Sequence, residues 1–299
     1  MQKDQPLTEL GPSNQHLKYG IGYILVAWFF ITAMATLSRF ASSHISLPVI
    51  IFFQNFISWI TVLPWVFKHG WRTLYTEHMG LIIVRSLAGL LSFSFLFLAV
   101  QRTSLVDAVL LNNTAPLLVP FVAWIWLKIP INHKLWPGIV CGFLGILFIL
   151  KPGKEIINPG ALYGLGSGVT LSIAMIALRR LSYTDRNHTV LFYYFLFSSL
   201  LCLPLSIYWW KTPNFLEWVQ MVFIGIFSAA GQWCLVRAFH HEKPSLLGPF
   251  CYAAVIYSGI FEWALYGKIP DWMGWFGIFL VCLGGIWTIR FSRLSSKVS

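Results

Sequence analysis

Apolar runs of roughly 17–25 residues, nearly free of Asp, Glu, Lys and Arg, follow one another from Gly20 to Ile289. A backbone surrounded by hydrocarbon must pair its own N–H and C=O groups, so such a run can cross a membrane only as a helix. Charged residues make up 10% of the 299, against about 25% in soluble domains, which excludes a soluble globular class. Cutting at loop signals gives ten spans: 20–38, 48–67, 80–101, 105–127, 135–150, 160–178, 188–210, 216–238, 245–266 and 272–289. The first run exceeds a signal-peptide core and lacks a small-residue cleavage site, so it is expected to stay as a helix. The segments 1–19 and 291–299 read as polar tails, the second of them basic.

The net charge is +11, carried by 21 Lys and Arg against 10 acids. These basic residues are scattered through short loops with no basic stripe, which argues against nucleic acid and for topology as their cause. With a cytoplasmic N-terminus, fourteen of them fall on inside segments, among them Lys68, Arg72, Arg179, Arg180 and Arg186. Six fall outside (Arg39, Arg102, Lys151, Lys154, Lys211 and Lys268), and Arg85 lies within a span. Both termini are therefore expected in the cytoplasm.

An internal repeat accompanies the even span count. "LKIPINHKLWPGIVCGFLGILFI" (127–149) resembles "GKIPDWMGWFGIFLVCLGGIWTI" (267–289), with Lys-Ile-Pro starting at 128 and at 268. Gly138 and Gly145 after the first are seven residues apart, as are Gly277 and Gly284 after the second. The expected fold is all-α and integral to the membrane, with ten helices arranged as two five-helix repeats, 20–150 and 151–290. An odd number of spans per half makes the repeats inverted, an architecture that places a substrate site near the midplane at their interface. Gly138-x-x-x-Gly142 and the Gly160/Gly164/Gly168 series are small-residue faces suited to close helix contact.

Against this background the polar residues inside spans are the candidates for function. Arginine at a helix centre costs about 2.5–3.5 kcal/mol on insertion scales. Arg85 lies roughly 7–8 Å from the inner end of its span, near Ser86, Gly89, Ser92 and Ser94; it either snorkels to the headgroups or faces an interior site. Asp107 differs from it in depth by about 20 Å, so the two are not expected to pair. Ser104-x-x-Asp107 has capping-box spacing, and Asp107 is also placed to exchange protons at an outer mouth. Asn112 and Asn113 lie deeper and point about 100° apart, so one can face a cavity while the other bonds a neighbouring helix. Pro116 and Pro120 are expected to bend that helix. Tyr252 falls opposite Asn112 in the second half, beside Pro249, with Tyr257 further on. Glu262 reads as a water-exposed mouth residue or a coupling acid. Gln54, Gln232 and Trp28 complete the substrate-binding candidates, with Asn55 a further buried-polar residue and Trp233 a further aromatic able to stack on a planar or cationic substrate.

Enzyme and cofactor signals are missing. There is no H-E-x-x-H and no Walker-type loop. The five cysteines form no C-x-x-C pair, and no two acids form a close pair inside a span. Neither a metal nor a cofactor is expected. A membrane-embedded transferase acting on lipid is the alternative to a carrier.

The stretch "RSLAGLLSFSFLFLAVQRTSLVDAVLLNNTAPLLVPFVAW" (85–124) resembles the third-and-fourth-helix block of EamA-type carriers of the drug/metabolite transporter superfamily. It is similar to the subgroup that includes S-adenosylmethionine uptake carriers of intracellular bacteria, where an Arg opens helix three and "L-x-D-A" and "x-P-L" mark helix four. Arg85, Leu105–Ala108 and Asn113/Pro116 match in turn, and "GPFCY" (248–252) resembles the second-half pattern. The Gly-Glu common after helices four and nine is replaced by Lys128 and by Gly267-Lys268. The resemblance implies a multi-pass carrier of the bacterial inner membrane, moving a small charged metabolite by alternating access. On this reading Arg85 takes an anionic group and Asn112, Asn113 and Tyr252 bond the remainder. The partners are the metabolite and the bilayer; a monomer and a homodimer both fit.

Overall fold

The computed structural model describes residues 17–42, 44–127, 136–150, 159–241, 247, 250–267 and isolated positions between 272 and 287. Its regular elements are all helical. The α-helices are α1 (Leu17–Ala41), α2 (Leu47–His69), α3 (Met79–Arg102), α4 (Leu105–Asn112), α5 (Ala115–Leu127), α6 (Trp136–Leu150), α7 (Pro159–Thr184), α8 (Asn187–Tyr208), α9 (Phe215–His241) and α10 (Ala253–Tyr266), with a 3₁₀ turn at Trp71–Leu74. Among the described residues, seven spans are long and apolar enough to cross a membrane, α4 and α5 together forming one of them. The α10 helix is apolar but shorter. The expected tenth span, 272–289, and the first residues of the ninth lie largely outside the described residues.

Local sequence explains the boundaries. Pro48 sits in the first turn of α2, where its missing N–H is not needed, and Gly70 closes the helix at φ +84°. Ser104 caps α4, its hydroxyl accepting from the Asp107 amide at 3.0 Å. The fourth span, in which Pro116 and Pro120 are expected to cause a bend, is interrupted at Asn113–Thr114, just ahead of Pro116. Pro116 acts upstream: its ring opposes the carbonyl four residues earlier, at Asn112, and α4 ends there. The chain restarts at once, with the Leu117 and Leu118 amides donating to the Thr114 carbonyl.

Packing follows six main pairings. The α1 helix runs along α9, α3 along α7, α2 against α8 and α9, and α4 and α5 lie on α7, while α10 touches α1 and α4. Glycine permits the closest of these approaches. A Cβ on Gly168 of α7 would stand 2.7 Å from the Leu111 carbonyl oxygen, so α7 passes the break between α4 and α5 nearly backbone to backbone. Gly284 similarly meets the backbone of Gly138 and Gly142. Large apolar side chains such as Leu87, Leu91, Leu200, Ile226 and Trp263 face outward, as hydrocarbon surroundings allow. Many of the polar side chains within the helices, among them Gln54, Ser92, Asn112 and Gln232, are buried between them.

Candidate functional site

Among the described residues, one buried cation lies in the interior without an acid beside it. Arg85, seventh residue of α3, is 3% exposed. Its Nη2 donates to Gln232 Oε1 of α9 at 2.7 Å, and its guanidinium carbon lies 4.5 Å from the ring centroid of Tyr194 on α8. Arg85 Nε and the Tyr194 hydroxyl, both buried, have no hydrogen-bond partner. Gly89, one turn along α3, makes room: a Cβ there would collide with Arg85 Nη1 and stand 2.8 Å from the Tyr194 ring. Among the described residues no carboxylate pairs with Arg85; the ion pairs are Arg39–Glu262 and His78–Asp185. The snorkelling alternative does not describe this side chain, which turns into the protein.

One turn further along α9, Ser228 accepts from Gln54 Nε2 of α2 at 3.1 Å, leaving Gln54 Oε1 buried without a partner. Asn55 bonds its own helix at Ile51. Trp28 is buried on α1, 2% exposed. Tyr257 and Trp233 are half-buried and pack against aromatic neighbours on α1, Phe29 and Tyr23 respectively.

The α4–α5 break forms a second polar level. Asn112 Nδ2 donates to Ser167 Oγ of α7 at 2.9 Å and to Ser92 Oγ of α3 at 3.4 Å, so it joins three helices. Asn113 turns back on its own helix, donating to the Val109 carbonyl at 2.8 Å. Ser92 lies seven residues beyond Arg85, about 10.5 Å along α3, so the two asparagines do not reach Arg85. Tyr252 occupies the turn ahead of α10 and packs with Val106, Leu110, Leu111 and Leu117.

At the end of the bundle where α4 begins, Glu262 is not a water-exposed mouth residue: it is 3% exposed. Its carboxylate accepts from the Leu105 and Val106 amides at 3.3 and 3.0 Å and lies 3.4 Å from Arg39 Nη1. It caps α4 from another helix, favoured by the positive end of the helix dipole. Asp107 sits half-buried in the first turn of α4. The described residues contain no group of three or more His, Cys, Asp or Glu able to hold a metal.

Tyr194, Ser167, Ser228 and Arg39 were not expected as parts of these clusters. Tyr194 lies in "LFYYFLF", where four consecutive aromatics give no sign which ring turns inward. Ser92 was visible only as one of several small polar neighbours of Arg85.

Known proteins give these clusters a context. An S-adenosylmethionine uptake transporter of Rickettsia felis is 25% identical over 255 residues, covering 84% of this chain and 86% of the relative. The pseudopaline exporter CntI of Pseudomonas aeruginosa is 27% identical over 257 residues, covering 85% and 90%. A protein of known crystal structure superposes with a TM-score of 0.64 at 17% identity, over 91% of this chain and 96% of that one, a likeness of fold alone. The EamA-like transporter family matches residues 18–151 and again 158–290. With both halves of its sequence so matched, this multi-pass membrane protein belongs to the EamA-like transporter family.

Proposed function

We propose that this protein is a secondary transporter of the bacterial inner membrane that moves a small organic metabolite carrying a carboxylate or phosphate. The observation that carries the reading is Arg85, a buried cation held by a neutral amide and an aromatic face rather than by an acid. A fixed planar fork without a resident anion suits a visiting one. Gln54, Gln232, Trp28, Asn112, Asn113 and Tyr252 would shape the remainder of the site. The relatives carry names of both uptake and export, and either direction fits a site of this kind.

The mechanism proposed is alternating access by two inverted five-helix repeats. Exchanging the halves turns the pairing of α1 with α9 into that of α7 with α3, and both are principal contacts. The same exchange relates two hydrogen bonds. Ser46 at the start of α2 donates to the Trp209 carbonyl beyond α8, and Thr189 at the start of α8 donates to the Thr73 carbonyl beyond α2, at 2.7 and 2.8 Å. These reciprocal contacts support the repeat. Asp107 and Glu262 are the candidates for coupling to protons.

Counterflow in proteoliposomes with a metabolite panel would identify the substrate, and binding to purified variants tests the site. Arg85→Lys, a point charge without the fork, should weaken binding. Arg85→Gln should weaken it at least about tenfold, the scale of a lost charged hydrogen bond. Wild-type affinity in Arg85→Gln would remove the anion assignment.

A further inference from the structure

Along one edge of a guanidinium the Nε–H and one Nη2–H point the same way, and this edge takes a carboxylate side-on through two parallel bonds. In Arg85 the Nε part of that edge is open. Nη2 donates to Gln232 Oε1 at 2.7 Å, while the buried Nε beside it has no partner. A single neutral oxygen satisfies one donor of two, in an interior where an unmade bond to a charged group is costly. An oxyanion in the same position offers a second oxygen to Nε and a charge to the guanidinium. The Tyr194 hydroxyl, also buried without a partner, belongs to the residue whose ring lies against that guanidinium.

We infer that Gln232 is a stand-in for the substrate: its amide oxygen occupies the place that the substrate's carboxylate or phosphate takes, and that group displaces it. The inference rests on the reading of Arg85 as the anion receptor and adds that Gln232 leaves the fork when the anion arrives. The consequence reaches beyond binding. Arg85 belongs to the first family match and Gln232 to the second, so their bond ties the two halves across the interior. A ligand that breaks this tie interacts differently with the tied and untied arrangements, as any shift of conformational population requires.

The test uses purified full-length protein in detergent, with acetate and inorganic phosphate as bare oxyanion probes and chloride at matched ionic strength as control. Thermal stability is followed against probe concentration. Wild type should be stabilised by at least one oxyanion beyond the chloride control, and Arg85→Gln should lose the response. Gln232→Glu should melt higher than wild type without a probe, because its carboxylate fills the edge permanently, and should bind the probes at least about tenfold more weakly. Gln232→Ala should bind them as tightly as wild type or more tightly. If Gln232→Glu responds like wild type while Arg85→Gln does not, the stand-in role is wrong and the anion receptor survives. A response lost in Gln232→Ala makes the amide a ligand contact and overturns the inference equally. An undiminished response in Arg85→Gln, or none in either wild type or Gln232→Ala, removes the receptor and the inference together.

Discussion

Arg85 shows how a cation can be kept inside a membrane protein without being neutralised. The insertion cost of an arginine, at most about 2.5–3.5 kcal/mol as at a helix centre, is met by a charged hydrogen bond of about 1.5–3 kcal/mol and a desolvated cation–π contact of about 2 kcal/mol. These terms nearly balance, so no acid is needed; a resident acid would compete with a substrate anion. Gly89 is the position most sensitive to this arrangement. Gly89→Ala should favour the helix by up to about 1 kcal/mol, yet its methyl would displace both the Arg85 guanidinium and the Tyr194 ring. The expected outcome is unchanged helicity by circular dichroism with loss of oxyanion stabilisation; retained stabilisation would mean that the guanidinium does not depend on this seat. Arg85 and Gln232 were both legible in the sequence as polar residues in apolar runs. Their partnership was not, because it joins positions 147 apart through the packing of separate helices. Tyr194 was invisible for a different reason: in a chain with 17% aromatics, another Tyr in a hydrophobic run carries no local mark.

The α4 helix is controlled at both ends from outside its eight residues. Pro116 ends it from four residues downstream, and Glu262 caps it from α10 while also facing Arg39. Asp107 contributes from within the first turn, where a carboxylate near the helix dipole is worth about 0.3–1 kcal/mol. The two acids should therefore separate by experiment. Glu262→Gln weakens the cap and the ion pair at once, and should speed amide exchange of the α4 peptide in hydrogen–deuterium mass spectrometry. Asp107→Asn leaves the Ser104 cap and the Glu262 contacts in place, and its exchange should stay near wild type. Equal protection in both variants would deny Glu262 its hold on α4. In proteoliposomes, a flattened pH dependence of flux in Asp107→Asn would support proton exchange there, and an unchanged profile would remove it. The sequence revealed the Ser104–Asp107 spacing because capping is local. It signalled a discontinuity through Pro116 and left its exact place to the steric effect of proline, which falls a turn ahead of the residue that causes it.

Long apolar runs declare membrane helices without help from distant contacts, which is why seven of the spans expected from sequence correspond to helices of crossing length. How the two halves are oriented is a question of charge and of symmetry, and both lead to one proposed topology. With ten spans, fourteen of the 21 Lys and Arg would fall on one side and six on the other, the asymmetry that fixes orientation when it is counted over short loops. The reciprocal bonds Ser46–Trp209 and Thr189–Thr73 connect turns at the two ends of α2 and α8. If each half has five spans, these bonds lie on opposite faces of the membrane and both termini lie on the side with more Lys and Arg. Reporter fusions inserted before Leu17 and after Ser299 should then both read cytoplasmic, with a fusion in the loop at Lys211 reading periplasmic. Neutralising Lys68, Arg72, Arg179, Arg180 and Arg186 together should weaken that preference, because these residues supply charge at the turns after α2 and α7. Opposite readings for the two termini would make the span count odd and dissolve the inverted repeat. Two periplasmic termini would preserve the repeat but overturn the charge argument, placing the Glu262 cap at the cytoplasmic end.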